Sequence, residues 1–383
     1  MKSTHLLLIL NLFIFGCSQS NNKQSENSVE RPADALHKTS VKYAEGFTVS
    51  YKDGAKWVEV PTPYKNAEQG FKYLLVQKGD PVPKHDADVQ VIEVPIEKIV
   101  CTSTTHIPLL NHIDETSSLV GFPTLDYISS EKMRQRIDSG KVMELGVDKE
   151  MNLELLVSAE PELVMAYTMS NNYGQFKQMQ NAGVPVVINA EYIEPHPLGR
   201  AEWIKFMALF FNKEKMADSV FSEIERNYTM LKEKVKQAEV NPSVLSGVVY
   251  GDTWYLPGGR NYAAKILRDA GGNYIWSEDS SSSYLELSFE AVYEKANDAD
   301  FWIGVASYES LKSMTASDER YANFEAFKQG NVYTYSARKG AKGGNIFLEL
   351  GYLRPDLILS DLVKILHPEL IEDQELYFHA KLN

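Results

Sequence analysis

Hydrophobic and polar positions change rhythm three times along this chain. Residues 6–15 are almost continuously apolar, broken only by Asn11. Residues 18–35, "SQSNNKQSENSVERPADA", then nearly lack large apolar side chains, so they cannot support a core and read as a tether. From 41 to 95 the pattern becomes strand-like. "FTVSYKDGAKWVEV" alternates on either side of Asp53-Gly54, which predicts a hairpin, and "KYLLVQ" and "VQVIEVP" predict further strands.

After residue 96 short apolar runs alternate with helical periods, the pattern of an α/β domain. "KIVCTST", "SLVGFP", "ELVMAY" and "VPVVIN" read as strands, with helices at "HIPLLNHI", "NLELLVSA" and "YGQFKQMQNAG" between them. The alternation resumes at 244 with "VLSGVVY", "NYAAKILRDAGG", "SFEAVYEKA", "DFWIGVA" and "NVYTYS". Between the halves, residues 212–238 hold no Gly or Pro. Met216, Val220, Phe221, Ile224, Tyr228, Leu231 and Val235 recur there at helical spacing. One helix of that length would span on the order of 40 Å and act as a strut between two lobes. Two shorter helices within one domain are the alternative.

The length of 383 residues is more than one core usually fills. With 44% hydrophobic and 24% charged residues, the composition is that of a globular protein. A formal charge of −13 argues against broad binding to nucleic acid, which requires clustered Lys and Arg. There are two cysteines, Cys17 and Cys101. Lys2, the apolar run and Gly16 before Cys17 form an export signal. The end of that signal, Ile14-Phe15-Gly16-Cys17, resembles a bacterial lipobox, which would make Cys17 the lipidated N-terminus. An ordinary signal peptide with a chance cysteine is the plainer alternative. Cys101 reads as a small strand residue.

In open α/β sheets ligands gather beyond the carboxyl ends of strands. The loops there supply Thr105 and His106, Tyr167, the run "GDTWYLPGGRNY", Tyr308, and "YSARKGAKGG". Trp254 and Tyr255 offer flat faces, and Gly258 and Gly259 permit close backbone approach before a helix starting near Asn261. Backbone N–H groups at such a start, with Arg260, suit an anion. Arg338, Lys339 and Lys342 would suit an anionic ferric chelate if they faced the cleft; a solvated loop is the default for such a run. The eight histidines are scattered, without HExxH or a close His/Cys cluster, so no protein-held metal is expected. Neither a nucleophile–base pair nor a resident cofactor site is evident, so an enzyme is not expected.

One device occurs twice. "NLELLVSAEPELVMAY" and "SFEAVYEKANDADFWIG" each open on a cap residue, Asn152 or Ser288, with a glutamate two places on, Glu154 or Glu290. Helix capping and a favourable charge at the first turn explain both glutamates without any partner.

These pieces, in this order, resemble the class III substrate-binding proteins of bacterial ABC importers, the group serving ferric siderophores, haem and vitamin B12. The likeness runs over residues 93–370, carried also by "LVGFPTLDYI", "YLPGGRNYAAKILRDAGGNYIW" and "LELGYLRPDLILSDLVKILHPEL". It implies two Rossmann-like lobes joined by one long helix, with ligand held in the cleft between them. The chain then divides into a signal at 1–16, a lipidated tether at 17–40, a β-rich extension at 41–95, an N-terminal lobe at 96–211, the linking helix at 212–238 and a C-terminal lobe at 239–383. The resemblance further implies an iron complex or cobalamin as ligand, and a lipid-anchored position in the cell envelope. Glu154 and Glu290 would dock on permease arginines. A metallocluster oxidoreductase on a related fold is disfavoured, because one spare cysteine cannot ligate a cluster. The 41–95 extension lies outside the resemblance and has no assigned role.

Overall fold

The computed structural model describes residues 37–147 and 150–383. The signal, Cys17 and most of the tether lie outside the described residues. The Asp53-Gly54 turn joins strands Thr48–Lys52 and Ala55–Val60 as a hairpin, with Asp53 at φ 54° and Gly54 at φ 76°. Strand Phe71–Gln77 pairs antiparallel with the second of these, and Val89–Val94 pairs parallel with Phe71–Gln77. The extension is therefore a four-stranded sheet. One face joins the main core through Val58, Val60, Tyr73 and Leu75.

The N-terminal lobe holds a five-stranded parallel sheet. Its order is Val186–Ile188, Leu163–Ala166, Ile99–Cys101, Leu119–Phe122, Met143–Glu144. Ile99–Cys101, Leu163–Ala166 and Val186–Ile188 are buried throughout, which is why they read as unbroken apolar runs. The C-terminal lobe repeats the design in the order Asn273–Tyr274, Ser243–Ser246, Phe301–Ile303, Val332–Thr334, with Ala380–Lys381 added antiparallel at one edge. A small antiparallel sheet, Val248–Tyr250, Thr253–Pro257 and Tyr284–Leu287, rises from the same lobe. Gly247 makes the turn from strand Ser243–Ser246 into this sheet. It has φ 81°, and a Cβ there would collide with the Tyr255 carbonyl.

Helix Glu214–Val235 occupies the position of the expected strut, burying Ala217, Phe221, Ile224 and Tyr228 on one stripe. It is not alone. Helix Pro197–Leu209 runs beside it, buried at all of its 13 positions, and helix Pro355–Leu366 packs on it as well. At the turn between the first two helices, Lys56 of the extension is fully buried. Its ammonium pairs with Glu214 and donates to the Leu209 carbonyl (2.7 Å) and to Asn212 Oδ1 (2.8 Å). The joint is thus fastened by the extension itself.

Candidate functional site

The main cavity, of about 660 Å³, opens beyond the ends of strands Ser243–Ser246 and Phe301–Ile303. Its wall is aromatic: Tyr250, Tyr255, Tyr262, Tyr284, Tyr335 and Tyr352 all line it, and among the described residues no carboxylate does. Strand alternation selects among them. In Thr253–Pro257 the side chains turn alternately inward and outward, so Tyr255 faces the cavity while Trp254 faces the core. Tyr262 opens the helix capped by Asn261, whose side chain accepts from Ala263 N at 2.9 Å.

Arg200 supplies the fixed charge. It stands in the first turns of helix Pro197–Leu209. Its guanidinium lies 3.9 Å from the Tyr262 ring centre and 4.2 Å from that of Tyr352. Its Nε donates to the Glu194 carbonyl (2.9 Å) and one terminal nitrogen to the Tyr192 carbonyl (2.8 Å). Among the described residues no carboxylate forms an ion pair with it. Nearby Glu191 is held above the usual carboxylate range by burial, against a Thr105 hydrogen bond and the Arg200 charge. Burial thus opposes ionisation of Glu191, and it forms no ion pair with Arg200. The Tyr262 hydroxyl is buried with no hydrogen-bond partner, and burial pushes its pKa up. A buried donor without a partner costs about 1–3 kcal/mol, a cost that a ligand acceptor would remove.

A second hollow of about 420 Å³ lies in the N-terminal lobe at the ends of Ile99–Cys101, Leu119–Phe122 and Leu163–Ala166. Thr102, Ser103, Thr104, Thr124, Tyr127 and Tyr167 make it hydroxyl-rich. Between the lobes, the Glu349 carboxylate accepts the backbone N–H of Ser129 (2.6 Å) and of Ser130 (2.9 Å), just before helix Glu131–Asp138. Burial pushes Glu349 up to about 7.

The structure separates the residues expected at the ligand. Tyr255 lines the larger cavity and Tyr167 the smaller; Thr105 lies beside the latter and donates to Glu191 at 2.5 Å. Trp254 is a correction. It is fully buried, stacks on Trp302 at 5.3 Å and donates to the Ser246 carbonyl. His106 is another: it is fully buried, and burial holds its pKa near 3. It is a neutral core residue. Arg260 is exposed and outside the cavity wall, while Gly258 and Gly259 admit the backbone of 276–283 and not a ligand. Tyr308 donates to Ser317 Oγ (2.8 Å). Arg338 lies over the Tyr377 ring (4.4 Å) and Lys339 pairs with Glu309 (2.5 Å), so both are tied down away from the cavity wall. Glu154 is exposed, and Asn152 caps its helix by accepting from Glu154 N (2.9 Å) and Leu155 N (3.1 Å). Ser288 caps the helix of Glu290, whose carboxylate pairs with Arg320 at 3.2 Å.

The architecture is two-lobed α/β, with an aromatic cavity in one lobe and a hydroxyl-rich hollow in the other, as a binding protein of two lobes would have. Consistent with that class, residues 99–338 match the family model described as periplasmic binding protein, and the chain belongs to that family. The family match leaves the extension outside. An uncharacterized lipoprotein of Methanocaldococcus jannaschii is 27% identical, the alignment covering 99% of this chain and 95% of that one. A second from the same organism is 28% identical over 94% and 91%. Among solved structures, a periplasmic heme-binding protein from Roseiflexus shares the fold at TM-score 0.56 and 17% identity, covering 72% of this chain and 99% of that one. A periplasmic vitamin B12 binding protein of Vibrio cholerae shares it at TM-score 0.51 and 11% identity, covering 73% and 99%.

Proposed function

We propose that this protein captures an anionic iron complex, a ferric siderophore or haem, in the interlobe cleft and delivers it to an ABC permease from a lipid anchor at Cys17. The observation that carries the reading is Arg200: a buried cation in no ion pair among the described residues, clamped between two tyrosine rings at the wall of an aromatic cavity. Such a cation attracts a carboxylate or catecholate oxygen, and the aromatic wall suits a flat or bulky organic shell. The volume falls within the range of small-molecule sites, about 300–1,000 Å³. The names of the relatives support the anchor, since two are called lipoproteins.

Glu154 and Glu290 are the proposed docking points on the permease. Each stands exposed at the start of a helix that precedes a sheet strand, one in each lobe. Their place at helix starts is compatible with docking, because the caps are made by Asn152 and Ser288, two residues earlier; the Glu154 carboxylate is exposed, while that of Glu290 would exchange its surface pair with Arg320 for a permease arginine.

Vitamin B12 is the second reading, favoured by the apolar share of the wall: Phe347, Leu348, Ile266 and Leu267 would pack on a corrin. The test is the absorption and mass spectrum of whatever co-purifies, followed by fluorescence titration with haemin, ferric siderophores and cobalamin. Saturable quenching by a ferric chelate is expected; quenching by cobalamin alone overturns the iron reading.

A further inference from the structure

The extension does more than lengthen the N-terminal lobe. Its loop 61–70, between strands Ala55–Val60 and Phe71–Gln77, leaves the sheet and reaches both lobes. The neck is tight, since a Cβ on Gly70 would lie 2.5 Å from the Val60 carbonyl. On the N-terminal side, Tyr64 meets the ring of Tyr173 at 6.4 Å, and Phe71 meets the same ring edge-on at 5.3 Å. Tyr173 stands in the loop that follows strand Leu163–Ala166, at the cleft end of that sheet. On the C-terminal side, Lys65 Nζ donates to Ser283 Oγ. Ser283 is itself fixed, its carbonyl accepting from Gly258 N at 2.8 Å, and it immediately precedes Tyr284 of the cavity wall. Among the described residues no carboxylate pairs with Lys65.

We propose that loop 61–70 is an interlobe strap that closes the Tyr284 side of the cleft and makes Lys65 a specificity-determining residue at its rim. The ligand part of this rests on the reading of the cavity as the binding site. The strap itself does not. With Lys65 at the rim and Arg200 in the wall, the site presents two positive charges and no lining carboxylate, so the extension biases the cleft toward anionic ligands. Glu349 joins the lobes through a separate contact with Ser129 and Ser130, so the strap is a second tie.

The test places spin labels at Glu68→Cys and Glu278→Cys in the full chain, both exposed positions. Cys17 is replaced by Ser, and Cys101 is buried with its thiol pushed up by burial, so it stays unlabelled. A single narrow distance is expected in ligand-free protein, broadening when Tyr64→Ala and Lys65→Ala are added. A broad distribution before those changes overturns the strap. Haemin titration runs on the unlabelled Lys65→Glu variant beside wild type. A loss of affinity of about tenfold, set against unchanged cobalamin affinity, is expected. Equal haemin affinity in both overturns the role of Lys65. If wild type binds no haemin, the haem reading fails and the same comparison is made with a ferric catecholate, while the strap is still decided by the distance.

Discussion

Glu349 of the C-terminal lobe accepts the backbone N–H groups of Ser129 and Ser130 of the N-terminal lobe, one on each carboxylate oxygen. The contact ties the helix that carries Glu349 to the two residues that lead into helix Glu131–Asp138, the second of them its cap Ser130. Burial nevertheless pushes the carboxyl up to about 7, from a usual value near 4.5. A folded-state pKa above the unfolded one means that the folded form binds the proton more tightly. The stability involved is fully present below about pH 4.5 and is lost as pH rises through 7, to a total of about 3 kcal/mol by linkage.

Thermal unfolding at pH 5 and pH 8 checks this. Because other carboxylates titrate over the same range, the comparison is between wild type and Glu349→Gln. The variant is expected to lose less stability than wild type on going from pH 5 to pH 8. Equal losses in the two would mean that Glu349 does not titrate in this window.

Lys56 offers a second test. Its ammonium is fully buried against Glu214, and burial lowers its pKa. Lys56→Met should destabilise by roughly 3–5 kcal/mol, because it leaves Glu214 buried and unpaired. Adding Glu214→Leu should restore much of that loss. A denaturant series on wild type and the two variants measures it, and a double mutant no better than Lys56→Met would contradict the account of the joint.

The sequence made the two neighbours Trp254 and Tyr255 look alike, and the structure assigns them opposite roles. Trp254→Ala should cost about 3–5 kcal/mol of stability as a large core truncation. Arg260→Ala should change neither stability nor ligand affinity appreciably. Chemical denaturation and titration of the two variants distinguish these outcomes; a ligand-binding defect in Arg260→Ala would return the site to the glycine turn.

What could be read from the chain, and what could not, follows from local physics. The Asp53-Gly54 hairpin, the Asn152, Ser288 and Asn261 caps and the stripe of the long helix are short-range signals, and all appear as elements in the structure. Helix Pro197–Leu209 is buried on every side and so has no amphipathic period to mark it in the sequence. Within it Arg200, Glu202 and Lys205 look like surface charges. In the fold, Glu202 instead accepts the backbone N–H groups of Lys42, Tyr43 and Ala44, and Arg200 becomes the charge of the site. Trp254 was misplaced because "GDTWYLPGG" read as a loop; once it is a strand, period two permits only one of the two aromatics to face the cavity. The Lys65 contact joins positions 218 residues apart, and no local pattern encodes it.

Docking on the permease predicts a variant that separates capture from transport. Glu154→Lys with Glu290→Lys should fold, losing about 0.3–1 kcal/mol per helix start. The second change also sets a lysine beside Arg320. Ligand affinity should be unchanged and uptake by whole cells abolished. Normal uptake by the expressed, anchored variant would leave both glutamates as helix starts.

The central claim is that an uncompensated Arg200, clamped by Tyr262 and Tyr352, selects an anionic chelate. Its most direct measurement is the affinity of wild type, Arg200→Lys and Arg200→Gln for haemin, a ferric catecholate and cobalamin, read by fluorescence quenching. The account predicts saturable binding of a ferric chelate, weakened at least tenfold in Arg200→Gln and partly retained in Arg200→Lys, with neutral cobalamin indifferent to either change. Chelate affinity that is the same in all three proteins, or binding of cobalamin alone, would contradict it.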